Sequence, residues 1–127
     1  MIEELVKNFE HFCRMCDGKF SYSLFPECKR LSYTIGMDFH ELDNKLEYLT
    51  IKIISSEGDF EIFSLKDIYI EKIERLSEND ENGDLAYYSL FIYTNKGVLS
   101  LKRAIRENKL IVSFSNKDLN YQSSVIF

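Results

Sequence analysis

Tryptophan is missing from this chain, proline occurs once, at Pro26, and the only histidines are His11 and His40. Cysteine occurs three times, an odd count that argues against the paired framework of a secreted disulfide scaffold. No apolar run approaches the ~20 residues that a membrane-spanning helix needs. The opening Met-Ile-Glu-Glu-Leu lacks the basic residues and apolar stretch of a signal peptide, and no Asn-x-Ser/Thr acceptor is present. These absences set the expectation of a cytoplasmic protein with no membrane partner. Nucleophile elbows, phosphate loops, HExxH and the zinc-deaminase pattern are absent as well. With so few histidines for acid–base work, the expectation is a protein that is not an enzyme and has no cofactor.

What is present describes one domain, residues 1–127. A chain of this length buries roughly two-thirds of its unfolded surface and needs no disulfide or metal merely to fold. Apolar residues make up 45% of it, and 10 Phe and 8 Tyr supply much of the core material. The formal charge of −5 argues against direct nucleic-acid binding, which calls for a basic surface. That charge is unevenly spread. Glu57 to Asp84 holds ten acids and three bases, whereas Lys96 to Lys117 holds six bases and one acid.

The periodicity changes once. Ile2, Leu5, Val6, Phe9, Phe12, Cys13 and Cys16 recur at helical spacing, with Glu3, Glu4, Lys7, Asn8, Glu10, His11 and Arg14 between them. This predicts an amphipathic helix over 2–16, stopped near Gly18. Beyond it the period is two. Leu31, Tyr33, Ile35, Met37 and Phe39 alternate strictly with Ser32, Thr34, Gly36, Asp38 and His40. Further strands are expected near 19–25, 46–55, 59–65, 68–76, 86–94, 97–103, 109–115 and 121–126. The segment 68–76 also fits a helical face through Leu65, Ile68, Tyr69, Ile73 and Leu76. Its dense β-branched residues favour a strand. Loops this short imply antiparallel neighbours. The fold class is therefore α+β: an N-terminal helix, then a mostly antiparallel meander over 19–126 that forms a curled sheet or half-barrel. Leu5, Phe9, Phe12, Ile35, Ile51, Ile53, Phe91 and Leu101 are the expected core.

Three local patterns invite chemistry. Cys13-Arg14-Met15-Cys16, with Cys28 and His40 at further intervals of about eleven residues, has the ligand types of a zinc site but lacks a second closely spaced pair. Burial of the cysteines on the helix stripe is the plainer expectation. The loop 78–84 matches part of a calcium loop, yet Ser89 stands where a bidentate Glu is required, so a hairpin is expected. Tyr87, Tyr88, Phe91 and Tyr93 put large side chains on both faces of one strand.

The functional expectation follows from these residues. Small, acidic, compact chains without a catalytic signature are the general type of toxin-neutralising immunity proteins and of phage-encoded inhibitors. Glu71, Glu74, Glu78, Asp80, Glu81 and Asp84 would attract a partner protein with a basic surface, one that itself binds nucleic acid being the natural kind. Tyr69, Tyr87 and Tyr88 would supply anchoring area beside them. A barrel that carries a small molecule is the alternative, and a zinc domain built on Cys13, Cys16 and Cys28 is the second.

Overall fold

The computed structural model describes residues 2–15, 21–23, 33–55 and 57–126. Among these described residues one helix, α1 (Ile2–Arg14), precedes nine strands. They are β1 (Ser21–Ser23), β2 (Tyr33–Leu42), β3 (Lys45–Ser55), β4 (Gly58–Ile68), β5 (Ile70–Asn79), β6 (Leu85–Thr94), β7 (Gly97–Ala104), β8 (Lys109–Ser115) and β9 (Asn120–Ile126). Among these residues no helix is long and apolar enough to cross a membrane.

α1 begins with Glu3 and Glu4 in its first turn and ends with Arg14 in its last, which matches the helix dipole at both ends. Leu5, Phe9, Phe12 and Cys13 are buried. The helix lies against β1, β5 and β6.

The strands form two sheets, ordered β1-β2-β3-β4 and β5-β6-β7-β8-β9. This corrects the single curled sheet expected from the sequence: among the described residues the sheets do not close into a barrel. A second correction concerns β1, which pairs parallel with β2 through Ser21–Thr34, Tyr22–Ile35 and Ser23–Gly36. The segment 24–32 between them lies outside the described residues, and it is longer than the tight turns that force antiparallel pairing. All other neighbours are antiparallel.

Alternation then decides the core. In the first sheet Ile35, Met37, Leu49, Ile51, Ile53, Leu65 and Ile68 are buried. In the second, Tyr88, Leu90, Ile92, Leu99, Leu101, Leu110, Val112 and Phe114 are buried, and both sets join α1 in one cluster. Each such aliphatic side chain contributes about 1.5–3 kcal/mol relative to exposure. Phe63 of β4 stacks on Phe114 of β8 and Tyr121 of β9, with ring centroids 5.2 and 5.1 Å apart. The Tyr121 hydroxyl donates to the Ile62 carbonyl at 3.0 Å. Of the expected core residues only Phe91 departs. It is half-buried on the opposite face of β6 from Leu90 and Ile92, because neighbouring strand residues point to opposite sides.

Between β4 and β5 stands Tyr69, where the chain passes from one sheet to the other. Asp67, just before it, has φ 53°. The Tyr69 amide donates to the Asn95 side-chain carbonyl at 2.8 Å, and the Asn95 amide donates to the Tyr69 carbonyl at 3.1 Å. Lys96 Nζ adds a bond to the Lys66 carbonyl at 2.6 Å. These bonds satisfy backbone groups that would otherwise have no ladder partner at the corner. We predict that Asn95→Ala lowers stability by about 1–2 kcal/mol. The readout is the urea midpoint at unchanged m-value, and an unchanged midpoint would contradict the role given to this clamp.

Candidate functional site

The parity of β5 is set by a bulge. Ile70 pairs with Thr94, but Lys72 pairs with Tyr93, so Glu71 is an extra residue. From there Lys72, Glu74, Leu76 and Glu78 share the outer face with Tyr93, Phe91, Ser89 and Tyr87, their cross-strand partners. Ile73, Arg75 and Ser77 take the other side, opposite Ile92, Leu90 and Tyr88. One edge strand thus sends its carboxylates one way and its arginine the other.

At the far end of β5 the outer face opens into a cleft of about 490 Å³ lined by Glu78, Asp80, Glu81, Tyr87, Arg106 and Glu107. The β5–β6 turn builds one wall around Asp80. Its carboxylate accepts from the Asn82 amide at 2.9 Å and the Asp84 amide at 3.0 Å. Its backbone N–H bonds the Asp84 carbonyl at 2.8 Å and its carbonyl accepts from Gly83 N–H at 3.1 Å. Gly83 has φ 84°, a conformation that favours glycine. The other Asp80 oxygen holds Arg106 Nη2 at 3.0 Å, linking this turn to the one between β7 and β8. Four carboxylates and one guanidinium therefore line the cleft, and that guanidinium is tied to the least exposed of the four. The partial calcium-loop pattern is a hairpin turn between two strands, as expected.

Tyr87 forms the cleft's aromatic wall. Lys102 Nζ sits 4.2 Å from its ring centroid, a cation–π contact on the molecule's own surface. A second aromatic–charge group lies further along β6. Lys72 is 3.0 Å from Glu74 and 5.4 Å from the Tyr93 centroid. The Lys72 ammonium, with the Tyr93 hydroxyl behind it, holds the Glu74 carboxyl below its usual range. The Tyr93 hydroxyl is pushed up in turn, mainly by that hydrogen bond to Glu74.

The residues singled out in the sequence therefore separate. Glu78, Asp80, Glu81 and Tyr87 come together in the cleft. Glu71 is exposed at the bulge, Asp84 is exposed in the turn, and Tyr69 is exposed at the corner between the sheets. Glu74 is engaged with Lys72 and Tyr93. Tyr88 cannot anchor a partner: it is buried at 5% exposure, points inward with Leu90 and Ile92, and its hydroxyl lies 2.7 Å from His11 Nδ1. Arg106 and Glu107 were not foreseen. The one available signal was Glu107, the sole acid within a basic segment.

The zinc pattern is only partly in view, since Cys16 and Cys28 lie outside the described residues. Cys13 is buried in the helix core, and His40 is exposed on β2 with Glu47 at 3.2 Å. Among the described residues no group of three or more His, Cys, Asp or Glu side chains is gathered for a metal. Comparison with known proteins brings no relative: no family model, curated protein or solved structure gives a significant match.

The Asp80 carboxylate thus organises the cleft wall. We predict that Asp80→Ala lowers stability by about 1–3 kcal/mol, since two turn amides and Arg106 lose their acceptor. Amide exchange of Asn82 and Asp84 will rise well above that of the β6 core. Retained protection of those two amides would contradict this account.

Proposed function

We propose that this chain is a small protein-binding module whose acidic cleft, at the end of β5 and β6, receives basic side chains of a partner and so blocks that partner's own anion-binding surface. The observation that carries this reading is the convergence of Glu78, Glu81 and Glu107 around Tyr87 in one cleft. A carboxylate cluster with an aromatic wall matches arginine and lysine: charge draws them in, and the ring supplies the contact area that charge alone lacks. Lys102 over Tyr87 makes the same contact within the chain.

Two further observations support it. Asp80 is held by its own turn, so the wall is built before any partner arrives, which limits the ordering cost of association. The exposed Glu71 and Asp84 add to the same acidic field and would speed encounter with a basic surface. A partner that handles nucleic acid would present such a surface, and a chain seated on it would exclude phosphates from that groove.

The test uses a hexa-arginine peptide as the probe and amide chemical shifts as the readout. We expect saturable shifts at Glu78, Glu81, Tyr87 and Glu107, weakening with salt as an exposed charge interaction does. The triple reversal Glu78→Lys, Glu81→Lys and Glu107→Lys is expected to weaken binding at least about tenfold. Equal shifts around Glu41 and Glu47, or binding unaffected by the triple reversal, would overturn the reading.

A further inference from the structure

On the other side of β5 lies a groove of opposite character, separate from the acidic cleft. Two adjoining hollows of about 500 and 450 Å³ run between α1 and β5, and Asn8, His11 and Arg75 line both. Ser77 and Tyr88 close the first of them. We infer that this groove binds the phosphate group of a small phosphate monoester.

The charges that face His11 decide what the groove can hold. From α1 these are Glu4, Lys7, Glu10 and Arg14; from β5, Arg75; and from β6 the Tyr88 hydroxyl. Glu10 is taken up by Arg14 at 3.5 Å. Among the described residues no carboxylate lies within ion-pair distance of Arg75 or Lys7. An Arg fork that faces a hollow without a carboxylate partner fits a planar or tetrahedral oxyanion, which it can hold with two parallel bonds.

His11 supplies the next donor. Its Nδ1 is engaged by the Tyr88 hydroxyl at 2.7 Å, which leaves Nε2 as the nitrogen open to the groove. Burial, then Arg75 and Arg14, hold the imidazole below its ordinary pKa, so it is neutral at pH 7. In the neutral tautomer that accepts the tyrosine's hydrogen bond at Nδ1, Nε2 carries the ring proton and can offer it to an anion. The Ser77 hydroxyl offers another donor. The Asn8 amide nitrogen gives one of its two hydrogens to the Glu4 carbonyl at 2.6 Å, and its oxygen can accept from a ligand hydroxyl. Ile73 gives the first hollow an apolar wall for the body of the ester. A few hundred Å³ with convergent polar groups suits a small molecule.

A bound dianion would reverse the repulsion that Arg75 and Arg14 exert on protonated His11. The measurement is therefore the His11 ring titration by NMR, with inorganic phosphate and phenyl phosphate as probes at fixed ionic strength. His40, paired with Glu47 on β2, is the internal reference. We expect the His11 midpoint to rise saturably with either probe while His40 stays put. Phenyl phosphate is expected to act at the lower concentration, because it can use the apolar wall. Arg75→Gln, an exposed position on an edge strand, is expected to raise the His11 midpoint by itself and to weaken phosphate binding at least about tenfold. Parallel movement of His11 and His40, the same effect from chloride at equal ionic strength, or an Arg75→Gln variant that still binds phosphate with wild-type affinity would overturn the site. A phosphoserine peptide that binds more tightly than phenyl phosphate would overturn the small-molecule assignment.

Discussion

Everything in this fold hangs on how the chain turns the corner at Tyr69. A strand that left one sheet and entered another would ordinarily strand a peptide unit between two ladders, and such a unit is costly to leave unsatisfied. Asn95 prevents this by presenting a side-chain carbonyl to the Tyr69 amide and its own amide to the Tyr69 carbonyl. The turn that carries Asn95 is itself tied down. Thr94 Oγ1 donates to the Gly97 carbonyl at 2.8 Å, and Asn116 Nδ2 donates to the Lys96 carbonyl at 2.9 Å. The corner, the β6–β7 turn and the β8–β9 turn are therefore one polar unit. With it in place the two sheets share a single apolar cluster, and the stacking of Phe63 on Phe114 and Tyr121 joins them a second time at a distance from the corner.

The second organising feature is the bulge at Glu71. Strand parity has no tolerance: adding one residue sends all that follow to the opposite face. Here the added residue places Glu74 and Glu78 on the outer surface and Arg75 and Ser77 on the side of α1. The backbone of β5 thereby separates an acidic surface from a cationic groove. That separation lets a chain of net charge −5 carry two surfaces of opposite charge on one strand.

Much of this architecture was legible in the residues. The helical spacing of Leu5, Phe9 and Phe12 and the ten-residue alternation through Ile35 and Met37 each commit a segment to one buried face, so periodicity alone suffices. The segment 68–76 was ambiguous for a physical reason. A left-handed residue at Asp67, the break at Tyr69 and the extra residue at Glu71 each shift the phase of the alternation. The accumulated shifts make strand residues mimic a helical period. Phe91 was misplaced because β6 carries large side chains on both faces, and residue type cannot say which face is inward. The candidate site was half legible. Glu78, Asp80, Glu81 and Tyr87 are close in sequence and meet across one hairpin, whereas Arg106 and Glu107 reach them only through the pairing of β6 with β7. The groove against α1 joins residue 11 to residue 75 and left no local trace.

One buried group in β7 bears on how the acidic cleft behaves. Arg103 is fully buried, and its guanidinium donates to the Ala104 carbonyl at 2.7 Å and to the Asn108 side chain. A cation in that position stays put, because withdrawing its hydrogen-bond acceptors would leave a charge in apolar surroundings. The β7–β8 turn, which carries Arg106 and Glu107, is thus fastened from the inside. Opening of that turn would take the acceptors from a buried cation, which favours a fixed backbone along one wall of the cleft. Association there would proceed as rigid docking, with the entropic cost falling on the incoming side chains.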